Sequence, residues 1–212
     1  MNSDLIARLV ERVEGRFYGK YRATVVDNAD PENRGRLRLR IPATLGNEVV
    51  SGWALPCAPY GGAADQGFFF IPENESSVWV EFEGGDPDYP VWVGTFWGKP
   101  GGEAEAPKPN DLDGAEQSDA QSPPTRKIIK TKKGHTIQLE DKDDEEMVML
   151  REAKNGKQIV MSKDGIKITD KKGNFIEMTD DAFTITSKVE FKIDASGQAI
   201  TIIGDTIDLN KG

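Results

Sequence analysis

The fold is decided by a series of short runs in the last third of the chain: His135-Thr136-Ile137-Gln138-Leu139-Glu140, Gly165-Ile166-Lys167-Ile168-Thr169, Ala182-Phe183-Thr184-Ile185-Thr186, Val189-Glu190-Phe191-Lys192-Ile193, Ile200-Thr201-Ile202 and Ile207-Asp208-Leu209. Each alternates apolar and polar residues at period two, the pattern of a strand with one greasy face and one wet face. The pairs Lys133-Gly134, Asn155-Gly156, Asp164-Gly165, Gly173-Asn174, Ser196-Gly197 and Gly204-Asp205 punctuate the runs with residues that accept the positive φ of tight turns. No segment between 126 and 212 has a helical apolar period able to cover the greasy face. A ladder of one-sided strands must bury that face against something. Copies of the same ladder, closed into a multi-chain β-prism or β-helix without free edges, are the economical cover.

The bulk composition fits such a build. Of 212 residues, 37% are hydrophobic and 30% charged, with a net charge of −9. The balance is −4 over 1–100, −5 over 101–125 and zero over 126–212. A negative chain disfavours general polyanion binding, because phosphate contacts need surplus Lys and Arg. The one cysteine, Cys57, allows no intrachain disulfide. No apolar run approaches a membrane span, and Leu5-Ile6-Ala7 is broken at once by Arg8, so no signal peptide is expected.

Working outward, residues 1–19 carry one helix candidate, 3–17, with Leu5, Ile6, Leu9, Val10 and Val13 on one face. Residues 20–98 read as five or six short strands, including the strictly alternating Arg36-Leu37-Arg38-Leu39-Arg40-Ile41, and so as a small closed barrel of OB type. Residues 99–125 are an acidic linker stiffened by Pro107, Pro109, Pro123 and Pro124, with too few apolar residues to fold alone. Residues 126–212 are the strand ladder.

Several motifs stand in a familiar order: Val25-Val26-Asp27, Asp30-Pro31, Arg34-Gly35-Arg36-Leu37-Arg38-Leu39, Trp53-Ala54, Gly67-Phe68-Phe69-Phe70-Ile71-Pro72, and Val80-Glu81-Phe82-Glu83-Gly84-Gly85-Asp86-Pro87 leading to Pro90-Val91 and Gly94. This order resembles the OB domain of the central spikes of contractile tails, the phage baseplate-assembly protein V and the VgrG-type spikes of injection systems. Gly134-His135-Thr136-Ile137-Gln138-Leu139-Glu140-Asp141 is similar to the start of the needle in the same family. The resemblance implies an all-β homotrimer: a helix, an OB-fold barrel, then an intertwined trimeric β-helix or β-prism needle. The number three comes from the resemblance; the strand pattern alone requires only more than one chain.

Candidate chemistry is sparse. His135 is the only histidine and has no partners at ligand spacing, so it is expected to be structural. Cys57 is expected to be a buried core thiol, and the run Glu140-Asp141-Lys142-Asp143-Asp144-Glu145-Glu146 a solvated turn, since it lacks the glycine spacing of a calcium loop. The 27-residue linker is too short for the lysozyme domain that some spikes insert there. No catalytic residue, cofactor or metal ligand is expected. Trp53, Phe68, Phe69, Phe70, Trp79, Phe82, Trp92, Phe96 and Trp97 form the one set suited to base stacking, but most of them are expected to face the core.

The function expected is mechanical. The barrel seats in a baseplate hub, with Arg36, Arg38 and Arg40 as the candidate hub contact. The needle is driven outward by sheath contraction, touching a target membrane only in passing. The final residues lack the metal-binding histidines of some spike tips, so a separate PAAR-type tip protein is expected on Ile207, Leu209, Asn210, Lys211 and Gly212. Effector cargo is a further partner of such spikes. The short segment before the barrel suits a particle whose hub is a separate protein. The chain is expected to be made in the cytoplasm and built into a virion or phage-tail-like particle. The alternative is an OB-fold binder of single-stranded nucleic acid with an oligomerising tail.

Overall fold

The computed structural model describes residues 7, 10, 13, 15–117 and 123–210. The helix expected over 3–17 lies for the most part outside these. The chain forms two compact units, 1–106 and 107–212.

The first unit is built on β1 (Tyr21–Asp27), β2 (Arg38–Arg40), β3 (Leu55–Pro56), β4 (Ser77–Phe82) and β5 (Pro90–Thr95), in the sheet order β2-β1-β4-β5-β3. All neighbours are antiparallel except β3 and β5. Leu37 and Ala54 exchange backbone hydrogen bonds of 3.1 and 2.8 Å, which joins the start of β2 to the run into β3. The sheet thereby curls into a ring, β1-β2-β3-β5-β4-β1, the closure of an OB barrel. Register shifts in β1 and between β4 and β5 supply the bends that closure needs. Alternation fills the interior: Val25, Leu37, Leu39, Ile41, Ala54, Val78 and Val80 are fully buried, with Ala23, Phe82 and Trp92 beside them. Below them Phe17, Tyr21 and Phe82 pack ring against ring at 5.6–6.0 Å.

Two expectations fail in the loop between β3 and β4. Cys57 is exposed, not buried. β3 is only two residues long, and Cys57 lies just past it, its N–H donating to the Trp92 carbonyl at 2.9 Å while its side chain faces out. Phe68, Phe69 and Phe70 are also exposed, as is Trp97. Of the nine aromatic residues expected mostly inside, only Phe82 and Trp92 are buried. Alternation predicts facing only within a strand, and residues 57–76 form none.

The second unit is a seven-stranded antiparallel meander: β6 (Arg126–Lys130), β7 (Thr136–Glu140), β8 (Met147–Glu152), β9 (Lys157–Ser162), β10 (Gly165–Thr169), β11 (Phe175–Met178) and β12 (Phe183–Thr186). Gly134, Gly156, Gly165 and Gly173 take positive φ at its hairpins. Three strands expected from alternation, Val189–Ile193, Ile200–Ile202 and Ile207–Leu209, are absent. The Ser196-Gly197 turn forms, but the large apolar residues of 189–209 are exposed and join no strand ladder among the described residues. Alternation marks a potential strand, and only a hydrogen-bonding neighbour makes it one.

Candidate assembly surfaces

The register of the meander sorts its side chains onto two faces. On one face two rows cross all seven strands. The first is Ile129, Ile137, Leu150, Ile159, Ile168, Ile176 and Ile185; the second is Lys127, Leu139, Val148, Met161, Ile166, Met178 and Phe183. Thirteen of these fourteen side chains are apolar. All the apolar ones except the half-buried Ile159 are exposed, from 37% for Ile166 and Ile176 to 64% for Phe183. An apolar cleft of about 530 Å³ runs along the first row, with Phe191 folded against it. A monomer rarely leaves so continuous an oily surface in water.

The other face mixes polar and apolar residues and is the covered one. Thr136, Gln138, Glu140, Met147, Met149 and Val160 are buried there. Residues 107–117, read from sequence as part of a linker, lie across it as a strap. Asn110 and Gln138 bond reciprocally, the Asn110 N–H to Gln138 Oε1 and Gln138 Nε2 to the Asn110 carbonyl, each at 2.8 Å. Thr136 Oγ1 donates to Asn110 Oδ1 at 3.2 Å, and Gln158 Nε2 to the Leu112 carbonyl at 2.8 Å. Lys130 binds Glu116 at 2.6 Å and holds the Glu116 carboxyl below its ordinary pKa. Arg126 pairs with the buried Glu140 and also donates to Gln117. At Gly114 the strap presses flat on the sheet: a Cβ there would sit 2.2 Å from Arg151 Nε, and φ is +85°.

The candidate hub residues lie on the outer wall of the barrel and are not equivalent. Arg36 is committed to its own loop: its guanidinium binds Asp30 through Nε and Nη2 at 3.0 and 2.6 Å and packs over Trp53 at 5.6 Å. Asp30 also accepts the N–H groups of Glu32, Arg34 and Arg36. That environment, led by the Arg36 bonds, drives the Asp30 carboxyl well below the usual carboxylate range. Arg38 is exposed and Arg40 half-buried, so these two are the members of the trio turned to solvent. At the other end of the chain Ile207, Leu209 and Asn210 are exposed, while Lys211 and Gly212 lie outside the described residues.

Among the described residues, no group of three or more His, Cys, Asp or Glu side chains converges as a metal site. His135 Nδ1 accepts the Ala153 N–H at 3.4 Å, just before β7 and just after β8. Residues 141–146 form the exposed turn expected of them, whereas Glu140 at the head of the acidic run is buried against Arg126. No described helix is long and apolar enough to cross a membrane.

No curated protein matches the chain. Residues 21–97 match the family described as the type VI secretion system/phage-baseplate injector OB domain. The match spans β1 to β5 and ends just beyond the ring they form. The barrel formed by residues 21–97 is thus of the injector OB type found in type VI secretion systems and phage baseplates, a match that supports a structural role in such a baseplate.

Proposed function

We propose that the protein is the central spike of a contractile tail or tail-like injection particle, working as a homotrimer without catalysis. The observation that carries this reading is the pair of apolar rows left open across seven strands. Three copies turning those rows inward make a prism whose strapped faces point to water. Covering a half-exposed Ile, Leu or Met contributes about 1 kcal/mol, so thirteen give on the order of 10 kcal/mol per copy. The strands expected over 189–209 then form between copies, where neighbours exist to receive their hydrogen bonds.

Stiffness is the function of such a prism. The sheath supplies force, and the needle transmits it into the target envelope without buckling. Withdrawing one chain breaks many layers together, which gives high kinetic stability. The barrel sits at the hub, with Arg38 and Arg40 as the available basic contacts. A PAAR-type tip protein, with any effector cargo it carries, seats on the exposed Ile207 and Leu209. The particle, virion or otherwise, is assembled from cytoplasmic protein.

Light scattering coupled to size exclusion tests the reading. It predicts a rod-shaped trimer that resists SDS without boiling. A compact monomer that binds oligonucleotide in a salt-sensitive way supports the nucleic-acid alternative instead.

A further inference from the structure

The barrel surface carries two aromatic clusters, one exposed and one half-buried beneath the exposed Arg22. The first is the tip of the β3–β4 loop. Tyr60, Phe68, Phe69 and Phe70 are each more than half exposed there, with ring contacts of 5.9 Å between Tyr60 and Phe68 and 6.1 Å between Phe68 and Phe70. The tip is held in shape. The Phe68 N–H donates to the Tyr60 carbonyl at 3.1 Å, and a Cβ on Gly67 would sit 3.0 Å from that same oxygen. Ile71 and Phe69 anchor the base against Gly35, where φ is +73° and a Cβ would sit 2.7 Å from Ile71 Cδ1. The second cluster is on the wall of β1, β4 and β5. Trp79 and Phe96 stack at 4.8 Å, with the Arg22 guanidinium 5.6 Å from each ring. Among the described residues no ring contact joins the two clusters.

Their charges are opposite and uncompensated. Asp65 is the only charged residue between 57 and 72, and among the described residues it has no salt-bridge partner. Arg22 likewise pairs with no carboxylate among the described residues, its neighbour Glu81 being taken by Lys20 at 2.9 Å. Loop against loop would oppose two Asp65 carboxylates, and wall against wall two Arg22 cations. Loop against wall joins aromatic to aromatic and anion to cation. A ring of identical subunits needs two different complementary patches on each copy, and this domain presents one of each.

We infer that the 57–72 loop of each barrel seats on the Arg22/Trp79/Phe96 wall of the next copy, closing a head-to-tail ring of OB domains. This rests on the homo-oligomeric reading above, which the needle face supports independently.

The chain's single native cysteine provides the test. Cys57 is exposed at the base of the loop, and Ser77→Cys places a second thiol on the wall two residues from Trp79 while leaving the Lys20–Glu81 pair intact. A short bis-maleimide on the full-length Ser77→Cys protein is expected to give covalent dimers and trimers, while the parent protein gives none. Asp65→Arg or Arg22→Asp, each added alone, is expected to lower the cross-linked yield several-fold, and the two together to restore it. Light scattering on the same samples separates the failures. A trimer in which Cys57 never links to the thiol introduced at position 77 overturns the ring contact alone and leaves the loop to another baseplate protein. A Cys57–Cys57 product in the parent protein also overturns it. A monomer overturns the homo-oligomeric reading and this contact with it.

Discussion

The two units use the same alternating code and close it in opposite ways. In the barrel, the apolar side of every strand meets another strand of the same chain, so Leu37, Leu39 and Ile41 end fully buried. In the meander, the rows on one side stay exposed among the described residues, and what the chain covers instead is the face of Thr136, Gln138, Met147, Met149 and Val160, with its own 107–117 strap. The difference follows from shape. Five strands bent by register shifts can close on themselves, whereas seven in-register strands stay open. Alternation states that a face must be covered; curvature decides whether the chain itself can do it.

The comparison breaks most readily at the centre of the open face. Ile168→Asp sets one unpaired carboxylate per copy where the rows meet, at a cost of about 3–5 kcal/mol each. Assembly should be lost, read by light scattering, while the barrel keeps its fold by near-ultraviolet dichroism. Thr169→Asp, one residue along and on the strapped face, should leave assembly intact. The reverse dissociation of effects comes from the barrel. Leu39→Ala removes a fully buried side chain and should destabilise that unit by about 2–5 kcal/mol in denaturant titration, with the needle still oligomeric.

A smaller effect sharpens the role of the strap. Gln138→Leu orphans the Asn110 N–H and carbonyl, at about 1–3 kcal/mol for each group left unpaired. Proteolysis between 107 and 117 should accelerate without loss of the β6–β12 core. The smallest expected change is at Asp30. Its folded pKa is depressed, chiefly by Arg36, so its contribution is present above the unfolded value of about 3.9 and is lost as pH falls below it. Asp30→Asn should therefore lower the melting temperature at neutral pH, and the gap to the parent protein should narrow once the pH drops under about 4.

The parts legible in sequence were those where periodicity and burial coincide. Arg36-Leu37-Arg38-Leu39-Arg40-Ile41 showed its buried and outward sides correctly, and β7, β10 and β12 lie where alternation placed them. The strap was illegible because its hold on the sheet is made by Asn110, Gln138 and Lys130 hydrogen bonds, and polar pairing leaves no period in a sequence. Cys57 reads as a core thiol and Phe68-Phe69-Phe70 as core-facing by alternation, yet all four lie in a loop where alternation does not decide facing. Residues 189–209 read as strands because the code for a strand is present, but no described strand pairs with them.

Hydrogen exchange over a dilution series tests the central claim most directly: that the rows from Ile129 to Ile185 are an interface between copies. Slow exchange of the β6–β12 amides is predicted only at concentrations where light scattering reports an oligomer, with protection extending into 189–209 under the same conditions. Equally slow exchange of β6–β12 in a dilute, demonstrably monomeric chain would contradict it.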